Sequence, residues 1–347
     1  MSREFISEDD LARLLREFRP GARLAGSTRL TGGSKKGVYR LQLADDSTLI
    51  LYAWNEAENY WPSSPGLAGD PFTDATGARA FQACHAALTE AGVRVPELYA
   101  LDLSRARYPG ELALLEDAGR ESLEDLLERD SAAASLPLAM LGDALLAMYG
   151  STGVRYGKVA ELAQEDDPAV AVRPDAATGT EAAEDVVLRR ALRLLQQAAA
   201  MEPQLAAVQT ELTALVLARR EAVQPRHRYC LVHGELGPDH VLLDDAGTPV
   251  IIDIEGLTYF DAEWEHAFLR LRFDSDYVRL SPPAMDEDRV AFYDLAQRIS
   301  LVEGPLRIAA TDYPDREWML GLARWHTDRL LAYVSGAGAP LPQSHCR

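Results

Sequence analysis

The chain has 347 residues, of which 47% are hydrophobic, and it carries a formal net charge of −19. A chain of this length can bury a substantial core and is expected to form two lobes. The charge argues against a nucleic-acid partner, which needs clustered cations, and no apolar run approaches the length of a membrane span. The negative net charge suits a cationic substrate that is attracted over long range. A need for solubility alone explains the charge equally well.

Cysteine usage and the N-terminus both indicate a cytoplasmic protein. The first residues lead directly into an acidic helix start and lack the apolar segment of a secretory signal. The three cysteines, Cys84, Cys230 and Cys346, are widely spaced and contain no CxxC pair. We therefore expect reduced thiols, not disulfides or metal ligands.

The first 54 residues predict a helix followed by three strands of a small sheet. Ser7 fits an N-cap for a helix that runs to Phe18, with leucines at helical spacing behind it. A strand ending near Thr31 comes next. The segments 38–43 and 48–54 read as two further strands, the first with the alternation of a half-buried strand.

A glycine-bearing loop, GGSKKG, separates the first two predicted strands. Glycine lets the backbone approach phosphates, and a lysine can neutralise them. The loop joins antiparallel strands and opens no helix, so it fits a phosphate-covering flap better than a Walker A loop. Taken alone, the loop is more typical of a plain hairpin turn, and its position upstream of residues 231–261 is what favours the flap. The predicted nucleotide-binding residues here are Gly32, Gly33, Ser34, Lys35 and Lys36.

The rest of the chain is predicted to be mainly helical. Two further strands, 94–101 and 111–117, precede a helix that begins at Ser122. One predicted helix, 78–89, precedes these strands. The later predicted helical segments are most of 132–220, then 263–272, 286–299 and 315–334.

Residues 231–261, LVHGELGPDHVLLDDAGTPVIIDIEGLTYFD, carry the strongest functional signal. His233 and Glu235 are followed by His240, and Asp253 comes thirteen residues after that. The kinase pattern H-R-D-x-x-x-x-N followed by a metal-binding Asp has this spacing. Here Glu235 takes the position of the catalytic base and His240 that of the metal-binding Asn.

The same segment predicts a β-hairpin. The apolar runs 241–244 and 249–252 flank a turn-forming stretch, 245–248. If those four residues form the turn, Leu243 faces Val250 and His240 faces Asp253. An imidazole and a carboxylate side by side can hold a divalent metal, although a one-residue slip would break this register.

Three stretches resemble the signature of the aminoglycoside phosphotransferase and choline-kinase-like family, which is related to the protein kinases. The family has HGDLxxxN, then IDWE or IDFE, then GDPxxDLA. This chain has HGELGPDH at 233–240, IDIEG at 252–256 and DAEWEHA at 261–267. It departs from the family in two places, with Glu235 for the catalytic Asp and His240 for the metal-binding Asn. Macrolide kinases of this family resemble the chain in the second change.

The resemblance implies an α+β, two-lobed, protein-kinase-like fold. An N-lobe with a small antiparallel sheet would span residues 1–115, and a mainly helical C-lobe would span 116–347, with a substrate-binding helical insertion at about 132–220. Leu115, Glu116 and Asp117 would contact the adenine mainly through their backbone.

The resemblance also implies a chemistry. The γ-phosphoryl group of ATP or GTP would pass to a hydroxyl of a small molecule, in this family an antibiotic of the aminoglycoside, macrolide or nucleoside type. Glu235 would accept the hydroxyl proton, and His233 would brace the loop. His240 and Asp253 would bind Mg²⁺, or Mn²⁺ in view of the imidazole. The oligomeric state stays open.

One expected feature of the family is missing. The family places a cation on the third strand and pairs it with a Glu on the following helix, yet strand 48–54 has no cation and helix 78–89 no Glu at that place. Lys35 or Lys36 is the candidate substitute. The missing cation and Glu235 both keep a nucleotide-binding pseudokinase as an alternative, and a metabolic kinase for choline-like or sugar substrates is the alternative enzyme within the family.

Overall fold

The structure is a computed structural model that describes residues 3–31, 33–61, 70–73, 76–165 and 181–336. The chain divides into two compact units. The first unit comprises Met1–Trp61, Asp74–Ala144 and Pro238–Gly256, and the second comprises Pro62–Thr73, Leu145–Gly237 and Leu257–Arg347.

The described residues form helices and strands in both units. The α-helices are α1 (Glu8–Phe18), α2 (Ala78–Glu90), α3 (Leu123–Asp130), α4 (Ser135–Gly150), α5 (Val159–Glu165), α6 (Ala183–Met201), α7 (Pro203–Ala207), α8 (Gln209–Ala222), α9 (Ala262–Phe273), α10 (Glu287–Ala309) and α11 (Arg316–Val334). The strands are β1 (Leu24–Arg29), β2 (Gly37–Leu43), β3 (Thr48–Trp54), β4 (Leu98–Asp102), β5 (Glu111–Glu116), β6 (Glu121–Ser122), β7 (Thr152–Gly153), β8 (Gly157–Lys158), β9 (Tyr229–Val232), β10 (Val241–Leu243), β11 (Pro249–Ile251) and β12 (Thr258–Phe260).

The first unit is built on a five-stranded antiparallel sheet of order β1-β2-β3-β5-β4. Strand β3 is central and buried at six of its seven positions, which explains its unbroken apolar sequence. Helix α1 is capped as predicted, because Ser7 accepts a hydrogen bond from the Asp10 amide. Its buried leucines Leu11 and Leu14 join a core cluster with strand residues such as Leu41.

A second, three-stranded sheet of order β11-β10-β6 also belongs to the first unit. Strand β10 pairs with both its hairpin partner β11 and with β6. Residues 238–256 are therefore grouped with the N-terminal part of the chain. The predicted lobe bounds, 1–115 and 116–347, stay a prediction.

The second unit combines a four-stranded sheet of order β7-β9-β12-β8 with long helices. Its core cluster contains residues of α6, α8, α9, α10 and α11, with Phe260 and Tyr293 fully buried. The two-residue strands β7 and β8 interrupt the predicted helical stretch 132–220. They are too short to show any alternation in sequence, and they form by pairing with β9 and β12.

Two predictions made from composition can be compared with the described residues. The sulfur of the buried Cys84 contacts the Glu255 carbonyl oxygen and that of Cys230 contacts the Phe260 carbonyl oxygen, and Cys346 lies outside the described part of the chain, so the reduced state of the three thiols stays a prediction. In the ranges that the structure describes, no helix has the length and apolar character needed to cross a bilayer.

Candidate active site

The loop that carries His233 and Glu235 lies in the second unit and follows strand β9 directly. His233 is buried, whereas the Glu235 side chain is exposed. Gly234 between them adopts φ +87°, a conformation that other residues rarely adopt, and its amide donates a 2.7 Å hydrogen bond to Oε2 of Glu265. The loop is thus held through its backbone while the predicted base remains accessible.

Glu265, on helix α9, is the acid beneath this loop. Its side chain is fully buried, and burial raises the pKa of its carboxyl group to about 7, although the amides of Gly234, His233 and Leu236 act in the opposite direction. A carboxyl group that receives the backbone amides of three loop residues, His233, Gly234 and Leu236, fixes the conformation of the loop. Glu265 therefore holds the loop in place through its backbone.

A second brace of this unit involves Asp261, which precedes α9. Its Oδ2 atom accepts hydrogen bonds from Arg289 and from the Tyr293 hydroxyl. Arg289 is itself buried and also contacts Oε1 of Glu184 at 2.7 Å. Burial raises the pKa of Asp261, although the Arg289 charge opposes the shift.

Arg190 introduces a cation near Glu235 that the sequence did not reveal. Its Nε atom lies 3.3 Å from Oδ2 of the buried Asp70. Burial lowers the pKa of the Arg190 guanidinium, while the carboxylates of Asp70 and Glu235 act to raise it. Arg190 thus adds a buried cation to the unit that carries Glu235.

The hairpin of the first unit forms, but its predicted register was wrong by one residue. Val241 pairs with Ile251 and Leu243 with Pro249, so the turn spans residues 244–248. The reason is the Asp244 side chain, whose Oδ1 atom accepts the amides of Ala246 and Thr248 and thereby draws Asp244 into the turn.

His240 and Asp253 nevertheless come together, because Asp253 leaves the extended conformation. The Ile252 amide donates to the His240 carbonyl, so Ile252 continues the ladder. Asp253 then adopts φ +59°, which ends the strand alternation. Its Oδ2 atom lies 3.8 Å from Nε2 of His240. A left-handed Asp is strained, and such strain is characteristic of functional sites.

The geometry of His240 and Asp253 fits a shared divalent cation. Ligand atoms about 2.1 Å from one ion can be up to about 4 Å apart, so the observed separation needs no rearrangement. Both side chains are accessible, at 24% and 48% exposure. Within the described ranges, no group of three or more His, Cys, Asp or Glu side chains is placed to bind a metal ion with protein ligands alone. A site completed by phosphate oxygens is the arrangement that Mg²⁺ usually has.

Lys36, not Lys35, is the loop lysine next to this pair. Its Nζ atom lies 2.5 Å from Oδ1 of Asp253 and 2.7 Å from Oε1 of Glu255. Burial by itself would lower the Lys36 pKa, but the two carboxylates outweigh it and raise the pKa well above its usual value. Lys36 is therefore a fixed positive charge at the predicted metal pair.

The other residues of the glycine loop are placed as follows. Lys35 lies over the Trp61 ring at 5.1 Å, and the Ser34 hydroxyl accepts a hydrogen bond from Trp61 Nε1. A Cβ atom on Gly33 would approach the Lys36 carbonyl oxygen to 2.7 Å, so that position requires glycine. Gly32 lies outside the described residues.

The residues predicted to contact adenine lie at the end of β5. Leu115 is buried opposite Ile50. The carboxylates of Glu116 and Asp117 are held by Arg94 and Arg40, respectively. Their side chains are thus engaged within the first unit, and their contact with adenine stays a prediction.

Glu255 is the principal residue that the sequence reasoning missed. Its carboxylate is buried and accepts hydrogen bonds from Lys36 and from Trp54 Nε1, the latter at 3.2 Å. The signal was present in the IDIEG motif, where Glu255 was quoted without a role.

Comparisons with known proteins agree with this geometry. The sequence profile of the phosphotransferase enzyme family (APH) matches residues 29–300, well over half of the chain. In the comparison with curated proteins, nothing matches.

Several solved structures share the fold. One is a thermostable mutant of aminoglycoside phosphotransferase APH(4)-Ia in a ternary complex with ADP and hygromycin B. It matches with a TM-score of 0.61 at 15% sequence identity, and the match covers 95% of this chain and 100% of the APH(4)-Ia chain. The GDP and kanamycin complex of APH(2")-IIia has a TM-score of 0.59 at 14% identity, covering 95% and 99%. Spectinomycin phosphotransferase APH(9)-Ia, with ADP and spectinomycin, has a TM-score of 0.56 at 10% identity, covering 97% and 96%.

The fold is therefore the α+β, protein-kinase-like fold that was predicted, with an antiparallel sheet N-terminally and helices C-terminally. The chain belongs to the phosphotransferase enzyme family. It is a small-molecule kinase, and the suspected family is confirmed.

Proposed function

We propose that this enzyme transfers the γ-phosphoryl group of ATP or GTP to a hydroxyl group of an antibiotic of the aminoglycoside, macrolide or nucleoside type. The observation that carries the proposal is the 3.8 Å pair of His240 and Asp253, next to the buried charge of Lys36. Phosphoryl transfer depends mainly on positioning and on neutralising phosphate charge, and this cluster supplies both kinds of group.

Glu235 is proposed as the base. It accepts the proton of the acceptor hydroxyl as that oxygen bonds to the γ-phosphorus, while the bond from phosphorus to the β–γ bridging oxygen breaks and the nucleoside diphosphate leaves. The support is the position of Glu235 in the HGELGPDH motif and its exposure on a loop braced by Glu265.

His240 and Asp253 are proposed as the protein ligands of Mg²⁺, with Mn²⁺ as the alternative ion. The ion, when bound, neutralises charge on the phosphate oxygens during transfer. His240 brings a nitrogen to a site where the family has an amide oxygen, and nitrogen ligands suit Mn²⁺ better than Mg²⁺.

The antibiotic class of the acceptor is supported by two considerations. Structural relatives of this chain were solved with hygromycin B, kanamycin and spectinomycin. The formal charge of −19 also favours encounter with a cationic compound. On this basis the enzyme acts in the cytoplasm as a resistance or self-protection factor.

The test is mass spectrometry of a panel of aminoglycosides, macrolides and nucleoside antibiotics incubated with the enzyme, Mg²⁺ and either ATP or GTP. Asp253→Ala serves as the blank. A product heavier by one phosphoryl group that is absent from the blank supports the proposal and names the acceptor class.

Two results would count against it. Phosphorylation of choline-like or sugar compounds alone would replace the antibiotic with a metabolic acceptor. Nucleotide that binds but is never turned over with any compound would indicate a pseudokinase.

A further inference from the structure

The first unit lacks the usual source of a phosphate-binding cation. Tyr52, on the central strand β3, occupies a stretch in which the family resemblance calls for a Lys or Arg. From the following helix, α2, the side chain that faces β3 is Phe81, whose ring lies 5.7 Å from that of Tyr52 and 5.8 Å from that of Trp54. An aromatic cluster thus stands where a cation–carboxylate pair was expected.

Lys36 reaches the same face of the sheet from the neighbouring strand. Gly37 pairs with Ala53 and Val38 with Tyr52, so Lys36 extends β2 opposite Trp54. Side chains at alternate positions share a face, and Lys36 therefore shares one with Tyr52 and Trp54. Its Nζ atom lies 5.0 Å from the Tyr52 ring, within the range of a cation–π contact.

Glu255 supplies the carboxylate from a different element. It lies in the 3₁₀ turn Ile254–Gly256, directly after Asp253. The Cys84 thiol of α2 contacts the Glu255 carbonyl, and Trp54 Nε1 donates to its carboxylate. Glu255 is only 6% exposed, so its charge is compensated by Lys36 and the Trp54 donor and not by bulk water.

The glycine next to Lys36 shows that the segment is closely packed. A Cβ atom on Gly37 would come within 2.5 Å of the buried Glu58 carboxyl group and 2.8 Å of the Tyr39 ring. Glu58 is fixed in turn by Arg29, at 2.6 Å. The backbone that presents Lys36 is therefore held firmly, in contrast to a mobile surface lysine.

We infer that Lys36 and Glu255 form the phosphate-clamping ion pair of this enzyme, with the cation moved from β3 to the start of β2 and the carboxylate moved from α2 to the turn after Asp253. The ligand of Lys36 is the polyphosphate chain of a nucleoside triphosphate, and this inference rests on the proposed function. Glu255 is a positioning residue, which retains Lys36 when Asp253 is engaged by the metal.

The experiment measures binding of Mg²⁺·AMP-PNP and of adenosine by calorimetry for the wild-type chain, Lys36→Met and the adjacent control Lys35→Met. Losing one charge-assisted contact of about 1.5–3 kcal/mol predicts a drop of about 10- to 100-fold in AMP-PNP affinity for Lys36→Met. Adenosine, which has no phosphates, is expected to bind all three proteins equally.

Two further variants separate phosphate binding from folding. Lys36→Met combined with Glu255→Gln removes both buried charges and leaves only the half-exposed carboxylate of Asp253, so the protein is expected to fold while AMP-PNP binding stays weak. Tyr52→Lys in the Lys36→Met background returns a cation to β3 and is expected to restore much of the AMP-PNP affinity. Glu255→Gln alone is expected to weaken AMP-PNP binding less than Lys36→Met does.

The outcomes are distinguishable. AMP-PNP binding by Lys36→Met that equals that of the wild type and Lys35→Met would overturn this inference and leave the proposed function standing. A parallel loss of adenosine and AMP-PNP binding would overturn it too, because it would show a structural role. Wild-type protein that binds neither Mg²⁺·AMP-PNP nor its guanine counterpart, Mg²⁺·GMP-PNP, would overturn both.

Discussion

His240 and Asp253 lie 3.8 Å apart, Nε2 to Oδ2, although the hairpin ladder places Ile252 and not Asp253 next to His240. The contact depends on the left-handed backbone of Asp253, at φ +59°. The proximity of these two side chains is therefore set by a local departure from the strand and not by strand register.

The His240 imidazole leads to a prediction about metal preference. His240→Asn substitutes an amide oxygen for nitrogen, and a harder donor favours Mg²⁺ over Mn²⁺. The ratio of Mn²⁺ to Mg²⁺ affinity in the AMP-PNP complex is expected to fall by roughly tenfold, equivalent to about 1.4 kcal/mol. Calorimetry with each metal measures the ratio, with the exposed His227→Asn as control. An unchanged ratio would show that His240 is not a ligand.

Glu235 is expected to affect turnover without affecting nucleotide binding. Glu235→Gln removes the proton acceptor but keeps the shape of the side chain, so turnover with an identified acceptor should fall by about 10²- to 10⁴-fold while AMP-PNP affinity is unchanged. Steady-state kinetics provide the measurement, and Glu221→Gln, exposed on α8, is the matched control. If Glu235→Gln turns over at the wild-type rate, another group is the base.

The raised pKa of the Glu265 carboxyl group predicts that the stability of the protein depends on pH. Its carboxyl pKa is raised by burial from 4.5 to about 7 in the folded protein, so the folded state binds this proton more tightly than the unfolded state does. The stabilisation it gives is fully present below pH 4.5 and is lost as the pH rises towards and through 7, by roughly 3 kcal/mol in total.

Urea unfolding at pH 4.5 and at pH 8 can isolate this contribution when the wild type is compared with Glu265→Gln. The wild type should lose about 3 kcal/mol more than the variant between the two pH values, since the other titrating groups cancel in the difference. Parallel pH profiles would show that Glu265 titrates normally.

Arg289 is expected to be important for the stability of the second unit. Arg289→Met leaves the buried carboxylates of Asp261 and Glu184 without their shared cation, which typically costs about 3–5 kcal/mol. The control, Arg129→Met, breaks an exposed pair with Glu121 and should cost less than about 1 kcal/mol. Equal free energies of unfolding for the two variants would contradict a stabilising role for the buried cluster.

Much of the fold could be predicted because local signals and burial agree. Strand β3 was predicted with its observed bounds, since a strand buried on both faces has a continuous apolar sequence. Helix α1 was predicted from its Ser7 cap and its leucine spacing. The strands β7 and β8 were missed because two-residue strands exist only through pairing.

The site was less predictable because its contacts join residues distant in sequence. His240 and Asp253 were paired from an incorrect register, and the Asp244 turn and the Asp253 backbone that together explain the contact have no clear sequence pattern. The choice of Lys36 over Lys35 depends on which side chain faces Glu255, 219 positions away along the chain.

The most direct test of the central claim is the Mg²⁺ dependence of AMP-PNP binding in the wild type and in Asp253→Asn. Asn tolerates the left-handed conformation of Asp253, so the variant removes the charge and preserves the backbone. The prediction is that Mg²⁺ strengthens wild-type binding by about 10- to 100-fold and that Asp253→Asn loses this increment. An increment of equal size in both proteins would show that Asp253 does not hold the metal.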